Sequence, residues 1–148
     1  MEKNSVSLDR LSEIFEMLLK TAIIKREYTV GSACAQPETV VSSIDYTGAM
    51  NGTVYMLLRE CDIDSAYKAI LKRFDARHSP EYGVVFSEFL NIFSGHLVTE
   101  YGKNGVHLNI TPPGEYKTLP GCGEWHVVTL TSDLGIVFKF VFARDTFF

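Results

Sequence analysis

The sequence predicts an α+β domain in which helices pack on a mostly antiparallel sheet. Two long segments, residues 8–22 and 80–101, repeat apolar residues at helical spacing. Shorter segments around them are rich in β-formers, and several alternate apolar with polar residues. Their order is helix, strands, two helices, strands. No internal linker, repeat or low-complexity tract interrupts it, so a single domain over residues 1–148 is expected.

Residues 8–22 read LDRLSEIFEMLLKTA. Leu8, Leu11, Ile14 or Phe15, Leu18 and Ala22 recur on one side with charges on the other, the pattern of an amphipathic helix. Glu27–Ala35 carries a less regular strand pattern. Thr39–Tyr46 sets Val40, Ser42, Ile44 and Tyr46 against more polar neighbours, and the Gly-containing TGAMNG leads into Thr53–Arg59; the two read as an antiparallel hairpin. Asp62 or Asp64 can cap a short helix in which Tyr67, Ile70, Leu71 and Phe74 share one side. Ser79 then offers an N-cap, and Pro80 fills the first helical position, where its missing N–H costs nothing. That helix is expected to run to about Tyr101 and end at GKNG. Val106–Thr111 alternates, with Val106, Leu108 and Ile110 on one face. Trp125–Thr131 and Ile136–Ala143 read as a second hairpin joined through SDLG, with Ile136, Phe138, Phe140 and Phe142 facing the core. The intervening TPPGEYKTLPGCGE is a Pro/Gly-rich loop.

Composition narrows the function classes. With 46% hydrophobic and 22% charged residues, the chain has the make-up of a soluble globular protein. No uninterrupted apolar run is long enough to span a membrane. The start, MEKNSVSLDRLSEIF, lacks the basic and apolar regions of a signal peptide, so a cytoplasmic protein is expected. A net charge of −4 and short basic runs argue against nucleic-acid binding. The cysteines, Cys34, Cys61 and Cys122, form no CxxC pair and read as reduced thiols in buried or half-buried positions. His78, His96, His107 and His126 lack metal-ligand spacing, so no metal site is expected. LPGCGEW is followed by no GK[ST], which excludes a phosphate loop, and Cys122 has no evident base partner for a nucleophile.

The stretch GVVFSEFLNIFSGHLVTEYG, residues 83–102, is the informative one. At 100° per residue, Phe86, Phe89, Leu90, Phe93, Leu97 and Tyr101 fall within an arc of roughly 120°. Glu88, Asn91, Gly95 and Thr99 fall on nearly the opposite side, with Val84. Glu88 and Asn91 should therefore point to solvent as neighbours, their Cβ atoms about 5–6 Å apart. Asparagine is a poor mid-helix residue because its amide competes with the backbone. Gly95 costs about 1 kcal/mol relative to alanine. A surface that admits another protein's backbone would explain the glycine, and a carboxamide that orients water would explain the asparagine.

SEFLNIFSG, with Glu88-x-x-Asn91 followed by Gly95, resembles the ExxN signature of the CheC/CheX/FliY family of chemotaxis phosphatases. Upstream, MNGTVYMLL resembles the family's Gly-x-Val strand. Downstream, HLNITPPG resembles the strand that ends in the family's proline. The resemblance runs from about Thr39 to Phe142. Members of the CheC type carry a second ExxN on the first helix; here Glu13 is followed three residues on by Glu16, and Glu16 by Leu19. One active helix in a short chain is similar to CheX, in this family typically a homodimer around a shared sheet. Two departures stand out. Val84 occupies a position where the family often has Asp or Ser, and Pro112 and Pro113 sit slightly closer to Asn91 than the usual pattern.

The resemblance implies a substrate that is itself a protein, the phosphorylated receiver domain of a CheY-like response regulator. The receiver would supply the divalent metal (Mg) and a lysine beside its aspartyl phosphate; this chain would need no cofactor of its own. Asn91 would orient the attacking water, and Glu88 would pair with the receiver's lysine and dock the helix. Val84, Ser87, Gly95 and Thr99 would line the partner surface. The rival expectation is a non-catalytic CheX-like module that binds a receiver or self-associates, which Val84 favours. A flagellar switch-like subunit would be expected to carry an appended domain.

Overall fold

The computed structural model describes residues 7–32, 37–73, 81–111, 119 and 124–144. Helix α1 (Leu8–Leu19) is capped by Ser7, whose hydroxyl accepts the Arg10 N–H at 3.1 Å. It ends three residues before the expected Ala22. Lys20 turns into the left-handed region (φ 50°), and the Glu16 carboxylate accepts the Ile23 N–H at 2.9 Å, which fixes the exit into strand β1 (Ile23–Ser32). That early turn leaves Ala22 exposed and starts β1 four residues before the predicted Glu27. The predicted end of this strand, Ala33–Ala35, lies outside the described residues, as do Phe74, Ser79 and Pro80.

Strands β2 (Thr39–Gly48) and β3 (Gly52–Leu58) form the expected antiparallel hairpin. A one-residue bulge between Val40 and Ser42 changes which face each side chain takes. Ser42, Ile44 and Tyr46 are buried, with Ile44 and Tyr46 in the main core, while Val40 packs on the other side of the sheet. The alternation that put Val40 on their face fails at that bulge. Gly52 opens β3 because Tyr46 lies over it. A Cβ there would stand 2.6 Å from the Ala143 carbonyl oxygen as well as on the tyrosine ring.

A 3₁₀ turn (Glu60–Asp62) leads into α2 (Ile63–Leu71). Ile70 is buried and Tyr67 and Leu71 are half-buried, as their spacing predicts. Asp62 occupies the N-cap position, but its side chain does not cap the helix. It accepts instead from Arg59 Nε at 2.7 Å and from the Val137 N–H at 3.1 Å, and Arg59 also donates to the Gly135 carbonyl at 3.0 Å. A buried carboxylate thus ties the end of β3 to the next hairpin. Helix α3 (Tyr82–Lys103) follows, then β4 (Leu108–Ile110), β5 (Glu124–Ser132) and β6 (Val137–Arg144). Strand β4 is shorter than the predicted Val106–Thr111; Leu108 is buried, and only Gly48, Thr47 and Tyr46 of β2 pair with it.

The strands make one antiparallel sheet in the order β1-β5-β6-β3-β2-β4. The helices pack on one face. There Phe15 of α1 meets Phe89 and Phe93 of α3 and Phe138 and Phe140 of β6, with ring centroids 4.7 to 5.9 Å apart in edge-on arrangements. Each such pair contributes about 0.5–1.5 kcal/mol beyond the area it buries. Ile136, Phe138, Phe140 and Phe142 are all buried in this core, as expected. The opposite face holds a second cluster of Tyr55, Leu57, Trp125, Val127, Val141 and Ala143. Trp125, the first residue of the predicted strand Trp125–Thr131, is 2% exposed in this cluster. Asp62→Ala is expected to lower unfolding free energy by about 2 kcal/mol, because it leaves the Val137 N–H and the Arg59 Nε–H without their acceptor. Urea unfolding of the variant measures this.

Candidate functional site

Helix α3 carries the residues singled out by the sequence. Val85, Phe86, Phe89, Leu90, Phe93, Ser94, Leu97 and Tyr101 are buried, so one flank is committed to the sheet and to α1. This fixes the rotation of the helix about its axis. On the outward flank Glu88 is exposed and Asn91 half-buried, one turn apart. Among the described residues neither makes a hydrogen bond or ion pair. The carboxylate and the carboxamide are presented together, as their spacing required.

The residues expected to line a partner surface fall around them. Val84 is 57% exposed, one turn before Glu88. Ser87 and Gly95 are half-buried and Thr99 is exposed. The Thr99 hydroxyl donates to the Gly95 carbonyl at 2.9 Å, so it is folded back onto the helix instead of reaching outward. A Cβ built at Gly95 would meet no atom within 4 Å. Nothing in the fold itself excludes a side chain there.

What the sequence did not disclose is how α1 is held beside this surface. Arg10 of α1 donates to Glu100 of α3 at 2.7 Å, and Lys103 donates to the same oxygen at 3.1 Å. The hydrogen bond from Arg10, reinforced by that from Lys103, holds the Glu100 carboxyl down at about 2 against the opposing effect of burial. Arg10 and Glu100 are ninety residues apart, and no local pattern could have paired them. The α1 carboxylates are likewise engaged: Glu13 faces Arg10 at 3.3 Å, and Glu16 holds the Ile23 N–H. Helix α1 has no asparagine three residues after either glutamate, and its Glu16 is committed to the backbone.

His96 and His107 are exposed, and His126 is half-buried, with Nδ1 2.5 Å from the Tyr28 hydroxyl. Among the described residues no three His, Cys, Asp or Glu side chains gather as metal ligands. No described helix is long and apolar enough to cross a membrane. Cys61 is exposed, contrary to expectation, because the 3₁₀ turn places it on the outside of the chain reversal while Asp62 turns inward. Cys34, Cys122, His78, Pro112 and Pro113 lie outside the described residues.

No family model and no curated protein matches the chain. Solved structures do. The chemotaxis protein CheX from Desulfovibrio desulfuricans is 14% identical, with 91% of this chain and 93% of that one covered at a TM-score of 0.62. A CheX–CheY–BeF3–Mg2+ complex from Borrelia burgdorferi is 18% identical over 93% of this chain and 95% of that one, at 0.61. FliY from Thermotoga maritima is 18% identical over 93% and 84%, at 0.62. Helices on one face of a six-stranded antiparallel sheet, matched over nearly the whole length of both CheX chains, give this protein the fold of the CheX, CheC-like and FliY chemotaxis proteins.

Proposed function

We propose that this protein is a CheX-like member of the CheC/CheX/FliY family that hydrolyses the aspartyl phosphate of a CheY-like receiver domain. One observation carries the reading: Glu88 and Asn91 stand one turn apart on the outward flank of a helix whose other flank is locked in the core. The Borrelia CheX structure, which shares the fold, was solved with CheY, and that supports a receiver as partner.

An aspartyl phosphate is already a reactive acyl phosphate. Its hydrolysis passes through a loose, in-line transition state, so a catalyst gains most by positioning water and steadying charge. The receiver supplies the divalent cation, which offsets charge on the transferred group. Asn91 supplies a carboxamide that accepts from the attacking water through its oxygen and donates through its nitrogen, without itself becoming charged. Glu88 supplies a carboxylate that pairs with the receiver's lysine. That pair strengthens when docking excludes water, and it aligns the helix with the phosphoryl group. Val84 favours a second reading, a receiver-binding module without turnover, because an exposed apolar residue stands where the resemblance expects Asp or Ser.

We also propose that the protein works as a homodimer paired along β1. Within the described sheet β1 pairs only with β5, and residues 24–31 are exposed on both faces, with Ile24 68% and Val30 49% exposed. A long edge strand bearing apolar side chains is a template for another strand, and a second copy offers one of matching length.

Asn91→Ala is expected to remove at least 100-fold of the acceleration, roughly the scale of a lost water-positioning group, while Glu88→Lys weakens receiver binding by placing like charges together. Phosphate release and binding assays on a phosphorylated receiver check both, and wild-type decay in Asn91→Ala rules out the catalytic role. Wild-type binding without faster decay selects the module reading. Gly95→Ala is expected to stabilise the fold by about 0.5–1 kcal/mol yet reduce turnover, as thermal melts and the same assay measure. Sedimentation should show a dimer for the wild type and a monomer for Ile24→Lys/Val30→Lys; a monomeric wild type excludes the shared sheet.

A further inference from the structure

We infer that two copies of this chain pair their β1 strands antiparallel in one register, with Tyr28 opposite Tyr28 of the partner subunit on the two-fold axis. The inference rests on the shared-sheet dimer proposed above and assigns its centre and its anchor. Strand β1 is regular only after the bulge between Ile23 and Lys25. From Lys25 to Gly31 every residue is exposed, and among the described strands this segment pairs on one side only, with β5. The midpoint of that segment is Tyr28.

A two-fold axis perpendicular to the sheet keeps each side chain on its own face, so each register of the pair sets one residue of β1 opposite itself. With Glu27 on the axis two carboxylates face each other directly, and with Arg26 two guanidinium groups do; both are destabilising. With Thr29 on the axis, Lys25 and Arg26 face positions beyond Gly31, which shortens the ladder. Tyr28 on the axis avoids these faults. Lys25 then faces Gly31 of the partner subunit, Arg26 faces Val30 of the partner subunit, and Glu27 faces Thr29 of the partner subunit. No like charges stand directly opposed. The charges are also balanced within each chain, Glu27 by Lys25 at 2.8 Å and Arg26 by Asp9 at 3.5 Å.

A second observation points to the same residue. The Tyr28 ring is 37% exposed and already held in place. It stacks on His126, with centroids 5.9 Å apart and planes 12° apart, and its hydroxyl lies 2.5 Å from Nδ1. Nε2 of the same imidazole lies 3.3 Å from the Glu124 carboxylate. A proton on Nε2, facing that carboxylate, leaves Nδ1 to accept from the Tyr28 hydroxyl. Glu124 and His126 thus fix an aromatic ring on the edge strand before any partner arrives, so little rotamer freedom is lost when it is covered. Tyrosine is among the residues that dominate interface energetics, and such anchors cluster at the geometric centre of a contact. In a symmetric strand pair that centre is the axis.

The test is a cysteine scan along the edge. Glu27→Cys, Tyr28→Cys and Thr29→Cys are each oxidised, and peptide mass mapping separates their disulfides from those of the native cysteines. Directly opposed residues bring their Cβ atoms to about 4.5–5.5 Å, near disulfide reach, whereas diagonal ones stay about 7–8 Å apart. The self-crosslink of Tyr28→Cys should form at least tenfold faster than that of either neighbour. Tyr28→Ala should raise the dimer Kd about tenfold in sedimentation, the scale of losing an interface anchor, and His126→Ala should do the same by releasing the ring. A dimeric wild type whose cysteine variants crosslink faster at 27 or 29, or whose Kd is unaltered in Tyr28→Ala, overturns this inference and leaves the shared sheet standing. A monomeric wild type overturns both.

Discussion

The rest of the molecule depends on the burial of one flank of α3. Phe86, Phe89, Phe93, Leu97 and Tyr101 fill the space between this helix and the sheet, where the Phe93 and Phe140 rings lie 4.8 Å apart. Fully burying side chains of this size stabilises by about 1.5–3 kcal/mol each, so rotating the helix by even one position would be prohibitive. The same packing fixes the outward flank. Glu88 and Asn91 are not placed by contacts of their own. They are placed because the residues between and behind them cannot be anywhere else.

A surface built this way is preorganised at little local cost. A carboxylate and an amide on a loop would have to be ordered at the moment of binding, whereas on α3 their backbone is already fixed by the helix and by the phenylalanine cluster beneath it. The sheet contributes from the other side. Phe138 and Phe140 of β6, a central strand with β5 and β3 as partners, form the floor on which Phe15 and Phe93 rest. Asp62 then fastens the turn between β5 and β6 to the chain leaving β3, so the floor and the helical layer are braced at one end by a buried carboxylate.

Helix α1 shows the same economy with a different outcome. Its apolar flank enters the same core, but Glu13 pairs with Arg10, Asp9 with Arg26 of β1, and Glu16 with the backbone of β1. Among its exposed residues α1 presents Met17 and paired charges, with no second Glu-x-x-Asn. Strand β1, turned out of α1 by Lys20, is exposed on both faces over residues 24–31.

The sequence by itself determined the helix and strand periods, and with them the α+β class, both hairpins and the outward direction of Glu88 and Asn91. These are consequences of local geometry: 3.6 residues per turn and two per pleat decide which side chains share a face, whatever they pack against. Element ends and exceptions came only from tertiary structure. The early end of α1 depends on Glu16 reaching Ile23, and the switch at Val40 on a bulge against β3. Asp62 bonds the Val137 N–H in place of its own helix, and α1 is placed against α3 by Arg10 and Glu100. Each of these is a contact between groups distant in sequence or a register chosen by a neighbouring strand, and no window of local residues contains both partners.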